Sequence, residues 1–198
     1  MPIMLRNSSH LVQTMLGLLK CGGIFVPLDP EFPENRIKVM INEVEGDWIV
    51  TRSIWLEKLD KLMKDEKRTI KALVLDGHDS KEYENIEIFR LDNIPKESQL
   101  PEEVVNKYCY IYFTSGSTGK PKAILGRHRS LKHFVDWEIE EFGIDEDFNI
   151  SQLVTPSFDA ILRDLFVPLC AGGTICIPRS KEVVVNPEAL IEWIEEKE

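Results

Sequence analysis

Six consecutive residues without a bulky side chain, Thr114, Ser115, Gly116, Ser117, Thr118 and Gly119, come directly after Tyr110, Ile111, Tyr112 and Phe113. The aromatic and β-branched run favours a pleated, buried strand. The six small residues offer four hydroxyls for hydrogen bonding and two glycines that permit positive φ and close backbone approach. Lys120 and Lys122 then bring positive charge, with Pro121 fixing φ between them. Hydroxyls, backbone N–H groups and ammonium groups can so converge on one polyphosphate.

The P-loop of nucleotide triphosphatases, G-x-x-x-x-G-K-[ST], does not fit this stretch. Reading Gly119-Lys120 as its Gly-Lys requires a glycine at Thr114 and a hydroxyl residue at Pro121. Pro121 also removes an N–H that a helix start would present, and Ala123-Ile124-Leu125 reads as a second strand. The expectation is a phosphate-binding loop between two strands.

T-S-G-S-T-G-K-P-K resembles the nucleotide-binding signature of the adenylate-forming enzymes: acyl-CoA synthetases, luciferases and the adenylation domains of nonribosomal peptide synthetases. A second stretch, residues 19–30, resembles the peptide-synthetase core motif L-K-A-G-G-A-Y-V-P-L-D-P, with Cys21, Ile24 and Phe25 as its departures. It reads as scaffold, a capped helix feeding a buried strand. A third, Phe158-Asp159, is similar to the family's F-D-x-S motif, with Ile161 in place of the serine. Ala123 stands where the family usually has glycine.

Elsewhere the pattern alternates. Ser8 or Ser9 caps a helix whose apolar residues Leu11, Val12, Met15, Leu16 and Leu19 share one face, and Gly22-Gly23 ends it. A strand at 24–26, a helix at 33–44, strands at 48–51 and 72–75 and a helix at 54–64 make up the rest of this region. Residues 77–101 are rich in charge, with Ile86-Glu87-Ile88 as the one strand signal, and read as a solvated connection. A helix after Ser130 has Phe134, Trp137, Ile139 and Phe142 as its expected buried stripe. Residues 151–154 read as a strand, Thr155-Pro156-Ser157 as a turn and cap, and a last helix starts at Pro187. The fold class is therefore α/β, layered sheets with flanking helices. The resemblance makes it part of the large N-terminal domain of the acyl-CoA synthetase/luciferase-like fold.

Composition excludes several classes. A net charge of −10 argues against a duplex nucleic-acid binder, which normally needs a basic face to neutralise phosphates. No apolar run approaches the roughly 20 residues that cross a bilayer, and no signal peptide opens the chain, so a cytoplasmic protein is expected. Cys21, Cys109, Cys170 and Cys176 lack C-x-x-C spacing and read as reduced core thiols, with no structural metal. His128 and His133 have no hydroxyl or carboxylate at a spacing that marks a general base.

The resemblance implies more. It makes Thr114, Ser115, Gly116, Ser117, Thr118 and Gly119 the phosphate ligands of ATP with its Mg²⁺, and Lys122 a supporting cation. Asp159 holds the α-ammonium of an amino acid, with Ala160 and Arg163 near its side chain. A pocket-facing Arg163 points to an acidic or polar side chain; Arg163-Asp164 side by side equally reads as surface charge. The implied reaction is ATP-dependent formation of aminoacyl-AMP and pyrophosphate, then transfer to the phosphopantetheine thiol of a peptidyl carrier domain. Residues 1–198 carry the second through fourth core motifs only. The later motifs and the small C-terminal domain are not found, so no catalytic residue is assigned and the isolated chain is expected to be inactive. A fragment of an acyl or aryl acid:CoA ligase, or a non-catalytic remnant or scaffold, are the alternatives.

Overall fold

The computed structural model describes residues 1–64, 66, 68–77, 81–94, 106–115 and 121–197. Strands β1 (Pro2–Met4), β2 (Val26–Leu28), β3 (Trp48–Thr51), β4 (Ile70–Val74) and β5 (Ile86–Arg90) form one sheet in the order β2-β1-β3-β4-β5. Every pairing in it is parallel, so each strand needs a crossover to reach the next. Helices α1 (Ser9–Lys20), α2 (Glu34–Asn42) and α3 (Leu56–Met63) supply the first three.

Both faces of the sheet are covered, and the alternation of side chains along each strand divides them cleanly. Ile3 and Val50 join Leu11, Val12 and Met15 of α1 in one core. Their neighbours Met4 and Ile49 join Ile37 and Met40 of α2 and Leu59 of α3 in another. This two-sided burial explains why these strands read as short continuous apolar runs. The Ser8 hydroxyl accepts from the Leu11 N–H at 3.3 Å and caps α1. Gly22, at φ +73°, turns the chain out of that helix as its sequence position demands.

Beyond the sheet, β6 (Tyr108–Ser115) and β7 (Pro121–Arg127) form an antiparallel hairpin. It is stitched to the β2 end of the sheet through Phe25, whose N–H donates to Cys109 O at 3.0 Å and whose carbonyl accepts from the Ile111 N–H at 2.9 Å. Helix α4 (His128–Phe142) comes directly after β7. Strands β8 (Asn149–Ser151) and β9 (Thr174–Cys176) pair in parallel, with α5 (Ile161–Ala171) between them in sequence, and α6 (Lys181–Val185) and α7 (Pro187–Glu195) end the described chain. Among the described residues no helix is long and apolar enough to cross a membrane.

Four expectations need correction. Residues 86–90 are a full strand, paired along their length with β4; an edge position tolerates Glu87 and Arg90, which carry no strand signal of their own. On α4 the buried residues are Leu131, Val135 and Glu138. Phe134, Trp137 and Phe142 are 36, 48 and 55% exposed, so aromatic size is a poor guide to the face that packs. Cys109 alone of the four cysteines is buried, its thiol pushed up to about 11 by desolvation; Cys21 and Cys170 are exposed and Cys176 is intermediate. The strand expected at 151–154 lies at Asn149–Ser151 instead.

Candidate nucleotide and amino-acid site

The hairpin carries the first part of the site. Tyr112 and Phe113 are buried at its base, and Thr114, Ser115 and Lys122 are exposed at its tip, so β6 runs out of the core into solvent. Thr114 stands opposite Lys122 and Ser115 opposite Pro121. Three of the expected phosphate-binding residues are thus held together by strand register. Gly116, Ser117, Thr118 and Gly119, with Lys120, lie outside the described residues.

The second part is a cavity of about 260 Å³ where the hairpin, α4 and the start of α5 meet. Tyr110, Ser130, Leu131, Phe134, Asp159, Ala160 and Leu162 line it. Tyr110 projects from β6 directly across from Gly126 on β7. Its ring occupies the space a side chain there would take: a Cβ on residue 126 would lie 1.9 Å from the Tyr110 ζ carbon. Glycine at 126 therefore sets the position of the cavity's aromatic wall. Tyr112 lies behind it, the two rings 5.5 Å apart edge to face. Burial raises the pKa of both phenols, and the negative charge of Asp159 adds to the rise, so both stay protonated at neutral pH.

Asp159 is placed by residues far away in sequence. The Asp29 carboxylate accepts from the Thr155 hydroxyl at 2.6 Å, and the Asp29 N–H donates to the Ser157 hydroxyl oxygen, also at 2.6 Å. Ser157 in turn donates to Pro27 O at 3.3 Å. The stretch 19–30 thus clasps the turn that leads into α5, the scaffold role its sequence implies. Helix α5 has Ala160 as its cap residue and no side-chain cap bond, so the Asp159 carboxylate is not consumed in satisfying the helix end.

Of the three residues expected near an amino acid, Asp159 and Ala160 share the cavity and Arg163 does not line it. The Arg163 Nε donates to Glu138 Oε2 on α4 at 2.8 Å, and its guanidinium lies 5.9 Å from the Phe142 ring centre. Sequence reasoning missed Gly126, Glu138 and the Tyr110 wall. A glycine inside an apolar strand was the one available signal. A larger cavity, about 520 Å³, opens between β8, β9 and α7, away from these residues.

Residues 2–198 match the model of the AMP-binding enzyme family. The chain is 34% identical over 185 residues to nonribosomal peptide synthetase atnA of Emericella nidulans, covering 91% of this chain and 2% of that protein. It is 32% identical over 191 residues to the dimodular nonribosomal peptide synthase of Bacillus subtilis, covering 96% of this chain and 8% of that one. The chain thus spans a small part of these relatives. In structure it is similar to the Vibrio cholerae adenylation domain AlmE, solved with glycyl-adenosine-5'-phosphate, at a TM-score of 0.78 and 21% identity, over 96% of this chain and 38% of that one. The α/β architecture, the hairpin and the family match agree, and the chain belongs to the AMP-binding enzyme family.

Proposed function

We propose that this chain forms the phosphate-binding and amino-acid-binding part of an adenylate-forming ligase that activates an amino acid. The observation that carries the reading is the Asp159 carboxylate, exposed on the cavity wall and left free by the helix it precedes. An ammonium group brought beside it gains a charge-assisted hydrogen bond in partly desolvated surroundings. Synthetase relatives at 32 and 34% identity support the same class.

On this reading a substrate carboxylate oxygen attacks the α-phosphorus of ATP. The bond from phosphorus to the bridging oxygen breaks, and pyrophosphate leaves with its electron pair. Thr114, Ser115, Gly116, Ser117, Thr118 and Gly119 hold the β- and γ-phosphates, and Lys122 offsets their charge, while Mg²⁺ enters with ATP as part of the substrate. Ala160 borders the side chain, while Arg163, expected beside it, is paired with Glu138. Such catalysis rests on positioning and charge neutralisation more than on covalent chemistry by the protein. The aminoacyl group then passes to a phosphopantetheine thiol on a carrier domain. The isolated chain is expected to be inactive, and appreciable aminoacyl-AMP formation by it would overturn that expectation.

ATP–pyrophosphate exchange by the full-length protein tests the reading. Exchange stimulated by amino acids is expected. Exchange stimulated only by fatty or aryl acids would make it an acid:CoA ligase, for which a carboxylate facing an ammonium has no use. Gly116→Val puts a branched side chain into the proposed phosphate loop and should abolish ATP binding; unchanged nucleotide affinity would remove the loop from the site.

A further inference from the structure

Glu138 is the one carboxylate among the described residues that is buried, at 5% exposure. An uncompensated charge in that position is costly, and Arg163 compensates it across the α4–α5 interface. The pair stands beside the cavity: Glu138 comes one helical turn after the cavity-lining Phe134 on α4, and Arg163, in the first turn of α5, directly follows the cavity-lining Leu162. Half of the Arg163 side chain, 53%, remains exposed, and its guanidinium is held by Glu138 and the Phe142 ring. With that cation committed, Asp159 is the only charged side chain among the described residues that line the cavity. The remaining walls are aromatic, aliphatic or hydroxyl.

We propose that Glu138 is a positioning residue that withholds Arg163 from the substrate, so that the cavity selects an amino acid whose side chain is uncharged. The inference rests on the amino-acid reading above and refines it. An acidic side chain would have to take Arg163 from Glu138 and leave a buried carboxylate unpaired. A basic one would have to take Glu138 from Arg163. Either exchange gives up one ion pair to make another and adds a desolvation cost, whereas a neutral side chain disturbs nothing.

The test is amino-acid-dependent ATP–pyrophosphate exchange by the full-length protein, with kcat and KM measured over acidic, carboxamide, apolar and basic amino acids. Wild type should favour uncharged side chains. Glu138→Gln frees Arg163 and should raise kcat/KM for aspartate and glutamate, relative to asparagine and glutamine, by about tenfold, chiefly through KM. Arg163→Gln frees Glu138 and should instead raise lysine and ornithine. The two variants read the same pair from opposite ends, so one that fails to fold leaves the other as the test. The double variant, with both charges gone, should lose both gains. A pair that merely braces two helices would move melting temperature and leave these ratios alone. Wild-type preference for aspartate or glutamate, or unchanged panels in the folded variants, would overturn the inference while the amino-acid reading stands. Absence of exchange with any amino acid would remove both.

Discussion

From β1 to β5 the chain buries hydrocarbon on both faces of a sheet, and Thr51 is the only buried polar or charged residue in that half among the described residues. From β6 onward the pattern changes. Glu138, Gln152 and Ser157 are buried there, while Phe134, Trp137, Phe142 and Phe158 stand exposed. The first half has the build of a support and the second of a place where polar groups are held at some cost in stability. They meet where Phe25 bonds to β6 and Asp29 to the turn before α5.

The comparison breaks most readily at Gly126. Valine there collides with the Tyr110 ring and should destabilise the fold by about 3 kcal/mol or more, since the obstacle is a ring packed in register. Denaturant unfolding measures this, and a loss below about 1 kcal/mol would mean that the cavity wall yields. Asp159→Asn should behave in the opposite way. It removes a charge the fold does not use, so stability should change by less than about 0.5 kcal/mol while amino-acid kcat/KM falls about 100-fold. Equal loss of both would make Asp159 a structural residue.

Asp29→Ala tests the connection between the halves. Losing the bond from Thr155 should cost about 1–2 kcal/mol and raise the amino-acid KM with ATP affinity unchanged, because the clasp serves the Asp159 turn and not the hairpin tip. A variant that lost ATP affinity first would show the clasp acting elsewhere. The smallest effect concerns Asp164. Burial raises its pKa against the favourable Val154 N–H and Arg163 guanidinium, so the folded chain keeps this proton to higher pH than the unfolded chain. Its contribution is therefore lost as pH rises from the ordinary value of 3.8 through the raised folded one. Asp164→Asn should flatten the stability–pH profile in that window, and an unaltered slope would contradict the assignment.

Legibility in the sequence divides along the same line. In the first half β3 falls at Trp48–Thr51 as its apolar run implies, and the Ser8 cap and Gly22 turn bound α1, because these are local signals reinforced by packing on two faces. β5 escaped because an edge strand need not be apolar. In the second half the motifs marked Asp159 and the hairpin, but not their surroundings. That Gly126 faces Tyr110 depends on hairpin register, and that Arg163 meets Glu138 depends on how two helices cross. Neither is a property of neighbouring residues, and on α4 choosing a helix face by aromatic size fails because the aromatics point outward.

The Asp29 clasp also bears on how the molecule assembles. Its two bonds close loops of 126 and 128 residues, long separations for contacts that fix a binding pocket. Loops of that length close late, after the local strand–helix units have formed, so the pocket should be among the last parts to acquire protection from hydrogen exchange during refolding. Until then the chain already has its body but not yet the cavity around Asp159.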